Sequence, residues 1–215
     1  AGLAFDGDGD RLIAVDETGS PVTGDHILAI CARHMQQAGL LKNSRVVSTV
    51  MSNVGLIKAL EQMGIEHLVT DVGDRYVLDR MRTTGTVLGG EDSGHMIFLD
   101  HHTSGDGIMT AIRLLEAMQY AKEPLSSLRK IMKVYPQVLK NVRIRKKTDI
   151  YQIPEIAQAI ERVENRLGGR GRVLVRYSGT QPLCRVMVEG PDAEETDRLC
   201  QEIVDAVAEN LGESP

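Results

Sequence analysis

Three aspartates near the start of the chain constrain its local fold more than any other feature. Asp6, Asp8 and Asp10 alternate with glycines and are followed by Arg11. Carboxylates this close raise one another's pKa, and a divalent cation removes the repulsion. The glycines let the backbone curl so that the carboxylates converge instead of lying along one face of a strand. An oxygen-only ligand set suits Mg²⁺ or Ca²⁺; the alternative is an acidic turn covered only by solvent.

A calcium-binding EF-hand loop is the nearest rival interpretation of this acidic stretch. Counted from Asp6, the aspartates occupy loop positions 1, 3 and 5, and Glu17 occupies position 12, which nearly matches the EF-hand pattern. Two features disfavour it, because Arg11 stands where the loop needs a glycine and Leu12–Val15 has the pattern of a strand. Mg²⁺ prefers a few protein ligands together with a phosphate oxygen. We therefore expect Mg²⁺ at the aspartates and a phosphate beside Arg11.

Composition limits the classes of protein to which this chain can belong. It has 215 residues, 42% hydrophobic and only 3% aromatic, which predicts one or two units with aliphatic cores, since single domains commonly have roughly 100–150 residues. A net charge of −5 offers no basic surface for nucleic acid or anionic membranes, and no apolar run approaches the roughly 18–20 residues of a membrane span. The three cysteines form no paired pattern, which favours a reducing cytoplasm.

The order of apolar stretches predicts an α/β fold class. From position 43 to 134, strand-like and helical stretches alternate, which is typical of an α/β domain, here with a mixed sheet, whose loops gather at one sheet edge. From 135 to 215 the order β-α-β-β-α indicates an α+β domain with an antiparallel sheet and two helices. Residues 1–42 hold too little sheet for a core, so we interpret them as the remnant of another α/β domain. Because Ala1 lies within a strand-like run and is not a methionine, we expect a fragment that lacks its N-terminal part.

The stretch from Ile108 to Tyr120 is predicted to be a helix. Its large apolar residues recur at helical spacing and share one stripe: Ile108, Ile112, Leu115 and Met118. A stripe of this kind is typical of a helix that packs against a core.

Two polar loops follow apolar strands in the middle of the chain. Gly73 and Asp74 join a strand to a helix, so the amides there could face a ligand at a helix N-terminus, unless Asp74 only caps the helix. Glu91, Ser93 and His95 alternate, and in an extended loop they would share one face. That arrangement suits the hydroxyl groups of a sugar, with His95 as an acid or base near neutral pH.

A further polar loop lies between two predicted strands near the C-terminus. Arg176 supplies a guanidinium group, Ser178 and Thr180 supply hydroxyls, and Gly179 lies in the turn. These groups together are typical of an anion-binding nest. The loop is not a Walker A motif, because it has no lysine and no following helix. The alternative is an ordinary hairpin turn.

The polar loops together resemble a known family. Asp6–Arg11, Gly90–His95 and Arg176–Thr180 resemble, in order and spacing, the metal, sugar and phosphate loops of α-D-phosphohexomutases. The stretches 49–55, 72–77 and 102–107 look most like the bacterial branch that acts on glucosamine phosphate. The family has four domains, and this chain resembles the end of the second domain (1–42), the third (43–134) and the fourth (135–215).

The resemblance implies a phosphoryl-transfer activity. Members of this branch interconvert glucosamine 6-phosphate and glucosamine 1-phosphate for UDP-N-acetylglucosamine and cell-wall synthesis. An active-site phosphoserine, held by Mg²⁺, donates its phosphoryl group to give a bisphosphate intermediate, which then returns the other phosphoryl group. Phosphoryl transfer depends mostly on positioning and on neutralising negative charge, so the ligand types are coherent with this chemistry.

Carried over to this sequence, the resemblance implies a role for each loop. The Mg²⁺ ligands would be Asp6, Asp8 and Asp10, and the residue beside the transferring phosphate would be Arg11. The sugar-binding residues would be Gly73, Asp74, Glu91, Ser93 and His95, with His95 also as a proton carrier. The residues that clamp the non-reacting phosphate would be Arg176, Ser178, Gly179 and Thr180.

The sequence departs from the family pattern at two places, and other functions remain as hypotheses. Gln181 stands where the family commonly has Glu, and no serine lies in the Ser-His-Asn-Pro context of the family's nucleophile loop. We therefore expect the chain alone to be inactive and to need N-terminal domains of the same protein. Other hypotheses are a mannose- or glucose-phosphate mutase of the same family, and a non-catalytic module that binds sugar phosphates. A phosphosugar is the expected small-molecule partner, and an oligomer is possible.

Overall fold

The computed structural model describes residues 1–212 and divides the chain into two compact units. The first unit is Ala1–Val134 and the second is Tyr135–Pro215. Among the described residues, no helix is both long and apolar enough to cross a membrane.

The first unit begins with a small antiparallel sheet. Its strands β1 (Gly2–Phe5), β2 (Leu12–Val15) and β3 (Pro21–Val22) lie in the order β1-β2-β3. Phe5 pairs with Leu12, so the acidic stretch is the loop of the β1–β2 hairpin. Helix α1 (Gly24–Gln37) follows.

A four-stranded sheet completes the first unit. The elements, in chain order, are β4 (Arg45–Thr49), α2 (Val54–Gln62), β5 (Glu66–Thr70), α3 (Asp74–Thr84), β6 (Leu88–Gly90), β7 (Met96–Phe98), α4 (Gly107–Ala121) and α5 (Leu125–Leu128). The strand order is β5-β4-β6-β7. Strand β4 is parallel to β5 and β6, whereas β7 is antiparallel to β6. The predicted mixed sheet is confirmed.

One apolar core joins the small sheet and α1 to the larger sheet. Leu12 and Ile27 are fully buried in the same cluster as Val46 and Leu56, so residues on both sides of position 42 pack together. A domain boundary at position 42 stays a prediction.

The face of helix α4 that is buried differs from the face predicted from its large apolar residues. Ile108, Ile112 and Leu115 do share a stripe, but their side chains are 64%, 56% and 46% exposed. The buried stripe consists of smaller residues: Gly107, Thr110, Ala111, Leu114 and Ala117. Small side chains allow a close approach, and α4 packs against α1. The expectation that the stripe of large residues faces a core is wrong for these three residues, whereas Met118 packs against the core.

The second unit is a three-stranded antiparallel sheet with two long helices. Its elements are β8 (Gln137–Arg143), α6 (Pro154–Leu167), β9 (Arg172–Tyr177), β10 (Leu183–Glu189) and α7 (Ala193–Leu211). The strand order is β8-β10-β9, with antiparallel pairing throughout. Cys184, Val186 and Val188 alternate along β10 and join the apolar residues of α6 and α7 in one core. The predicted β-α-β-β-α order is confirmed.

Asp16 stabilises the turn between β2 and β3. Its Oδ1 accepts hydrogen bonds from the Thr18 hydroxyl at 2.7 Å, the Thr18 amide at 2.9 Å and the Ser20 amide at 3.0 Å. The Thr18 hydroxyl lowers the pKa of Asp16 most; the two amides and the charge of Arg129 lower it further, against desolvation, to about 2.

We predict that Asp16 makes stability depend on pH in acid. A carboxylate whose pKa is depressed on folding stabilises the fold above its unfolded pKa. This stabilisation is full above the ordinary value of 3.8 and disappears as pH falls towards about 2. Asp16→Asn should lower the melting temperature at pH 7 and reduce the loss of stability between pH 4 and 2, as measured by thermal unfolding monitored by circular dichroism.

Asp100→Asn is the matched control, because Asp100 is exposed and pairs only at the surface with Lys42. It should shift the melting temperature little. Equal pH profiles for Asp16→Asn and the unaltered chain would contradict the role given to Asp16.

Candidate functional site

The hairpin loop between β1 and β2 brings three carboxylates together. Asp6, Asp8 and Asp10 each offer a ligand oxygen, and these oxygens all lie within 4.8 Å of one another. Gly9 has a φ of +75°, a conformation that glycine adopts at little cost. Oδ1 of Asp6 accepts the Arg11 amide at 3.2 Å, which closes the loop.

Arg11 partly balances the charge of this loop. Its Nε lies 3.7 Å from Oδ2 of Asp6 and 3.8 Å from Oδ1 of Asp10. Desolvation raises the pKa of Asp6, but hydrogen bonds with the Arg11 amide and with Asp10, and the charge of Arg11, outweigh it and lower the pKa overall. Desolvation, the hydrogen bond with Asp6 and the charges of Asp6 and Asp8 raise the pKa of Asp10. One arginine therefore does not remove the repulsion among the three carboxylates.

The loop has the chemistry of a site for a hard divalent cation. Its converging donors are carboxylate oxygens, the ligand type that Mg²⁺ prefers. Oδ1 of Asp10 is buried and, within residues 1–212, accepts no hydrogen bond. An unsatisfied buried carboxylate oxygen is costly, and a cation at the three aspartates would satisfy it. These residues fit Mg²⁺.

His95 lies directly against the acidic loop. Its Nε2 is 3.6 Å from Oδ2 of Asp10, and the residue is only 5% exposed. The two loops also pair through their backbones, because Arg11 and His95 form an isolated antiparallel bridge and the Leu12 amide donates to the Gly94 carbonyl at 3.1 Å. The structure thus joins two loops that are distant in sequence.

The Gly90–His95 loop is a tight turn and does not have the extended conformation in which its alternating residues would share one face. The Gly94 amide donates to the Glu91 carbonyl at 3.0 Å, and the Glu91 amide donates to the His95 carbonyl at 3.0 Å. Gly94 has a φ of +94°, which reverses the chain. Glu91, Ser93 and His95 therefore do not share one face of an extended segment: Ser93 is exposed at the turn, whereas His95 is buried.

Glu91 connects this turn to the loop before α3. Oε1 of Glu91 accepts the Gly73 amide at 3.1 Å, and Gly73, with a φ of +133°, is the N-cap residue of α3. Asp74 is exposed, and its Oδ1 accepts the adjacent Arg75 amide at 2.7 Å. Gly73, Asp74 and Glu91 thus lie in one continuous group with the turn that carries His95.

Sequence reasoning gave no role to the glycines that begin α4. A Cβ on Gly105 would lie 2.2 Å from Nε2 of His95, and one on Gly107 would lie 2.6 Å from the Arg11 carbonyl oxygen. The Gly107 amide also donates to the Gly9 carbonyl at 2.9 Å. The signal in the sequence is the Gly-Asp-Gly run, in which Asp106 caps α4 by accepting the Met109 amide at 2.9 Å.

The Arg176–Pro182 loop belongs to the second unit and connects β9 to β10. Arg176 lies in β9, and the Ser178 amide donates to the Leu183 carbonyl at 2.9 Å. Ser178 is buried, and its hydroxyl accepts the Gln181 amide at 3.3 Å. Gly179 and Thr180 are exposed, so they form the accessible part of the loop.

Two family models match the chain. Residues 23–135 match the model "Phosphoglucomutase/phosphomannomutase, alpha/beta/alpha domain III". Residues 139–206 match the model "Phosphoglucomutase/phosphomannomutase, C-terminal domain".

Bacterial phosphoglucosamine mutases are similar to the chain over nearly all of its length. The enzyme of Syntrophus aciditrophicus (strain SB) is 57% identical over 211 residues, which are 98% of this chain and 47% of the relative. The enzyme of Desulforapulum autotrophicum is 59% identical over 207 residues, which are 96% of this chain and 45% of the relative. The chain therefore spans about half the length of the curated relatives it matches.

Solved structures share the fold. The N-acetylphosphoglucosamine mutase of Aspergillus fumigatus, in complex with GlcNAc-6P and magnesium, superposes with a TM-score of 0.76 at 20% identity, covering 96% of this chain and 48% of the other. A phosphoglucomutase/phosphomannomutase family protein from Burkholderia thailandensis gives a TM-score of 0.73 at 23% identity, covering 99% and 48%. These likenesses confirm the predicted fold class.

We predict that the chain binds Mg²⁺ through the acidic loop. Asp8→Asn removes one negative charge and one strong ligand, so Mg²⁺ affinity should fall by at least about 10-fold, as measured by isothermal titration calorimetry. Asp79→Asn removes the same charge at an exposed position on α3 and should leave the affinity unchanged. Equal loss in both variants, or selectivity for Ca²⁺ over Mg²⁺, would contradict a Mg²⁺ site.

We also predict that Gly105 keeps His95 in place. Gly105→Ala puts a methyl group into the space of the imidazole ring, which should lower the free energy of unfolding by about 1–3 kcal/mol and displace the ring. Urea denaturation measures the first effect and a crystal structure of the variant the second. Gly2→Ala is the control, since its Cβ would come no closer than 3.6 Å to another atom. An unmoved His95 in the Gly105 variant would refute the prediction.

Proposed function

The chain belongs to the phosphoglucomutase/phosphomannomutase family, and we propose that it carries the metal, sugar and phosphate loops of a phosphoglucosamine mutase. The intact enzyme would interconvert glucosamine 6-phosphate and glucosamine 1-phosphate through a phosphoserine and a bisphosphate intermediate, for UDP-N-acetylglucosamine and cell-wall synthesis. The observation that carries this proposal is the joining of the acidic loop to the His95 turn, with Asp10 and His95 3.6 Å apart. Identities above 50% to phosphoglucosamine mutases support the choice of substrate.

The proposed division of the chain follows the family's domains. Residues 1–42 would be the end of the second domain, 43–134 the third domain and 135–215 the fourth. The N-terminal domains of the same protein would supply the phosphoserine, because no serine here lies in the Ser-His-Asn-Pro context. We therefore propose that the chain alone has no turnover. Its three cysteines are free and buried, which supports a reducing, cytoplasmic setting.

The acidic loop would govern the transferring phosphoryl group. Asp6, Asp8 and Asp10 would hold Mg²⁺, which when bound neutralises negative charge on that group. Arg11 is half exposed, so its guanidinium group can reach a phosphate while its Nε stays near Asp6 and Asp10. A guanidinium group can donate two parallel hydrogen bonds to two oxygens of one phosphate. Arg11 would therefore orient the phosphoryl group beside the carboxylates.

The turn that carries His95 would bind and deprotonate the sugar. Glu91, oriented by the Gly73 amide, and the exposed Ser93 would contact sugar hydroxyls, and Gly73 and Asp74 would contribute to the choice of sugar. His95 is buried against Asp10, so a sugar hydroxyl bound at the edge of the acidic loop would lie within its reach. It would accept the proton of the attacking hydroxyl and return it later in the reaction.

The loop of the second unit would clamp the phosphate that does not react. Arg176 contributes charge, and Ser178, Gly179 and Thr180 contribute hydroxyl and amide donors. Remote contacts of this kind hold the reacting end of a substrate in place.

A chimeric enzyme tests the proposal. The half of the S. aciditrophicus enzyme that lies outside the match, joined to this chain, should interconvert glucosamine 6-phosphate and glucosamine 1-phosphate in a Mg²⁺-dependent manner, as followed by ³¹P NMR. In the chimera, Asp8→Asn should lower kcat/KM by at least about 100-fold, the scale of a lost electrostatic contact. Asp79→Asn should have no effect, and this chain alone should be inactive.

Three outcomes would change the assignment. Undiminished turnover with Asp8→Asn would refute the role of the acidic loop. Faster turnover of mannose or glucose phosphates would assign the chain to another branch of the family. An inert chimera, together with glucosamine 1-phosphate binding by this chain, would favour a binding module.

A further inference from the structure

The phosphate loop of the second unit, residues 176–182, is fastened to the segment that follows β8. Nζ of Lys147 donates a hydrogen bond to the Ser178 carbonyl oxygen at 2.6 Å. The Tyr177 hydroxyl donates to the Thr148 carbonyl oxygen and accepts the Thr148 amide at 3.2 Å. Three hydrogen bonds therefore hold the start of the loop against residues 147–148.

The hydrogen bond from Lys147 sets the direction of one amide. Ser178 and Gly179 share a trans peptide bond, in which the C=O and N–H groups point in opposite directions. With its oxygen held by the ammonium group, this peptide directs the Gly179 N–H away from Lys147. A cation on the carbonyl oxygen also polarises the peptide and strengthens its N–H as a donor.

This amide is available to a ligand. Within the described part of the chain, the amides of Gly179 and Thr180 and the hydroxyl of Thr180 donate to no protein acceptor. Both residues are exposed. Successive unpaired amides at a turn form a concave site for an anion.

Gly179 is the point at which the loop can lose this arrangement. A Cβ on Gly179 would meet no atom within 4 Å, so the surroundings do not restrict the peptide, and glycine has the widest range of backbone angles. A flipped Ser178–Gly179 peptide would present a carbonyl oxygen, which repels phosphate. Lys147 opposes the flip because it holds that oxygen on the opposite side.

We propose that Lys147 is a positioning residue for phosphate binding: its ammonium group fixes and polarises the Ser178–Gly179 peptide so that the Gly179 N–H faces the phosphate. This inference rests on the proposed role of the loop as a phosphate clamp. It assigns Lys147 an action through the Gly179 amide, distinct from the general attraction of any lysine for an anion.

The test is a titration of the ¹⁵N-labelled 215-residue chain with inorganic phosphate, followed by amide NMR spectra. The unaltered chain should show saturable shifts at the Gly179 and Thr180 amides. Lys147→Met should weaken phosphate binding by about 10-fold, the scale of a hydrogen bond to a charged group. It should also move the free-state Gly179 proton upfield, because the peptide is no longer polarised.

Two matched variants separate positioning from charge. Lys146→Met removes the same charge one residue away, where the side chain is exposed and makes no described hydrogen bond or ion pair, and should weaken binding less than about 2-fold. Lys147→Arg keeps a cationic donor and should restore most of the affinity and the Gly179 shift. Thermal unfolding should be similar for all variants, since both lysines are exposed.

The outcomes distinguish this inference from the proposed function. Phosphate binding with equal losses for Lys146→Met and Lys147→Met, or with an unchanged free-state Gly179 shift, would overturn the positioning role and leave the phosphate clamp intact. Phosphate that moves neither Gly179 nor Thr180 in the unaltered chain would overturn the clamp itself. Loss with Lys147→Met and recovery with Lys147→Arg supports both.

Discussion

The backbone pairing between Leu12 and Gly94 is the constraint on which the candidate site of the first unit depends. The Leu12 amide donates to the Gly94 carbonyl at 3.1 Å, and a Cβ on Gly94 would lie 2.1 Å from the Leu12 carbonyl oxygen. No side chain fits between β2 and the turn that carries His95 at this point. The pairing sets the distance between Asp10 and His95, because His95 is bridged to Arg11 and Asp10 directly precedes Arg11. The acidic loop and the imidazole ring of His95 thereby form one site.

Close approaches of glycine residues to neighbouring loops recur around this pairing. A Cβ on Gly24 would lie 2.1 Å from the Glu91 carbonyl oxygen, and those on Gly105 and Gly107 would meet His95 and the Arg11 carbonyl. Where the backbone makes the contact, few side-chain rotamers have to be fixed when a ligand binds. Reacting groups held this way keep their geometry without cost at the moment of reaction. The glycines are thus part of the site although they carry no functional group.

Features that depend on local sequence patterns are predictable from the sequence. Alternating aspartates and glycines between two strand-like runs predict converging carboxylates, and the strand and helix order predicts both sheets. The contact between Leu12 and Gly94 was not predictable, because nothing near either residue encodes a partner so distant in sequence. The alternation of Glu91, Ser93 and His95 places them on one face only if the segment is extended, and the left-handed conformation of Gly94 makes it a turn instead. On α4, Ile108 and Ile112 suggested a packed stripe, but small residues such as Ala111 allow the closer approach to α1.

The phosphate loop shows why residue type alone does not separate a binding loop from an ordinary turn. Arg176, Gly179 and Thr180 are equally compatible with a hairpin between β9 and β10, and the loop itself contains no lysine. What favours anion binding is that the exposed amides of Gly179 and Thr180 have no protein acceptor within residues 1–212. In the adjacent Ser178, by contrast, the amide, the carbonyl oxygen and the hydroxyl oxygen are all hydrogen-bonded. An ammonium group from residue 147 then lies against the peptide that carries the first of these amides. The segment that follows β8 thus adds a second cationic group to that of Arg176, and this contact is visible only in the fold.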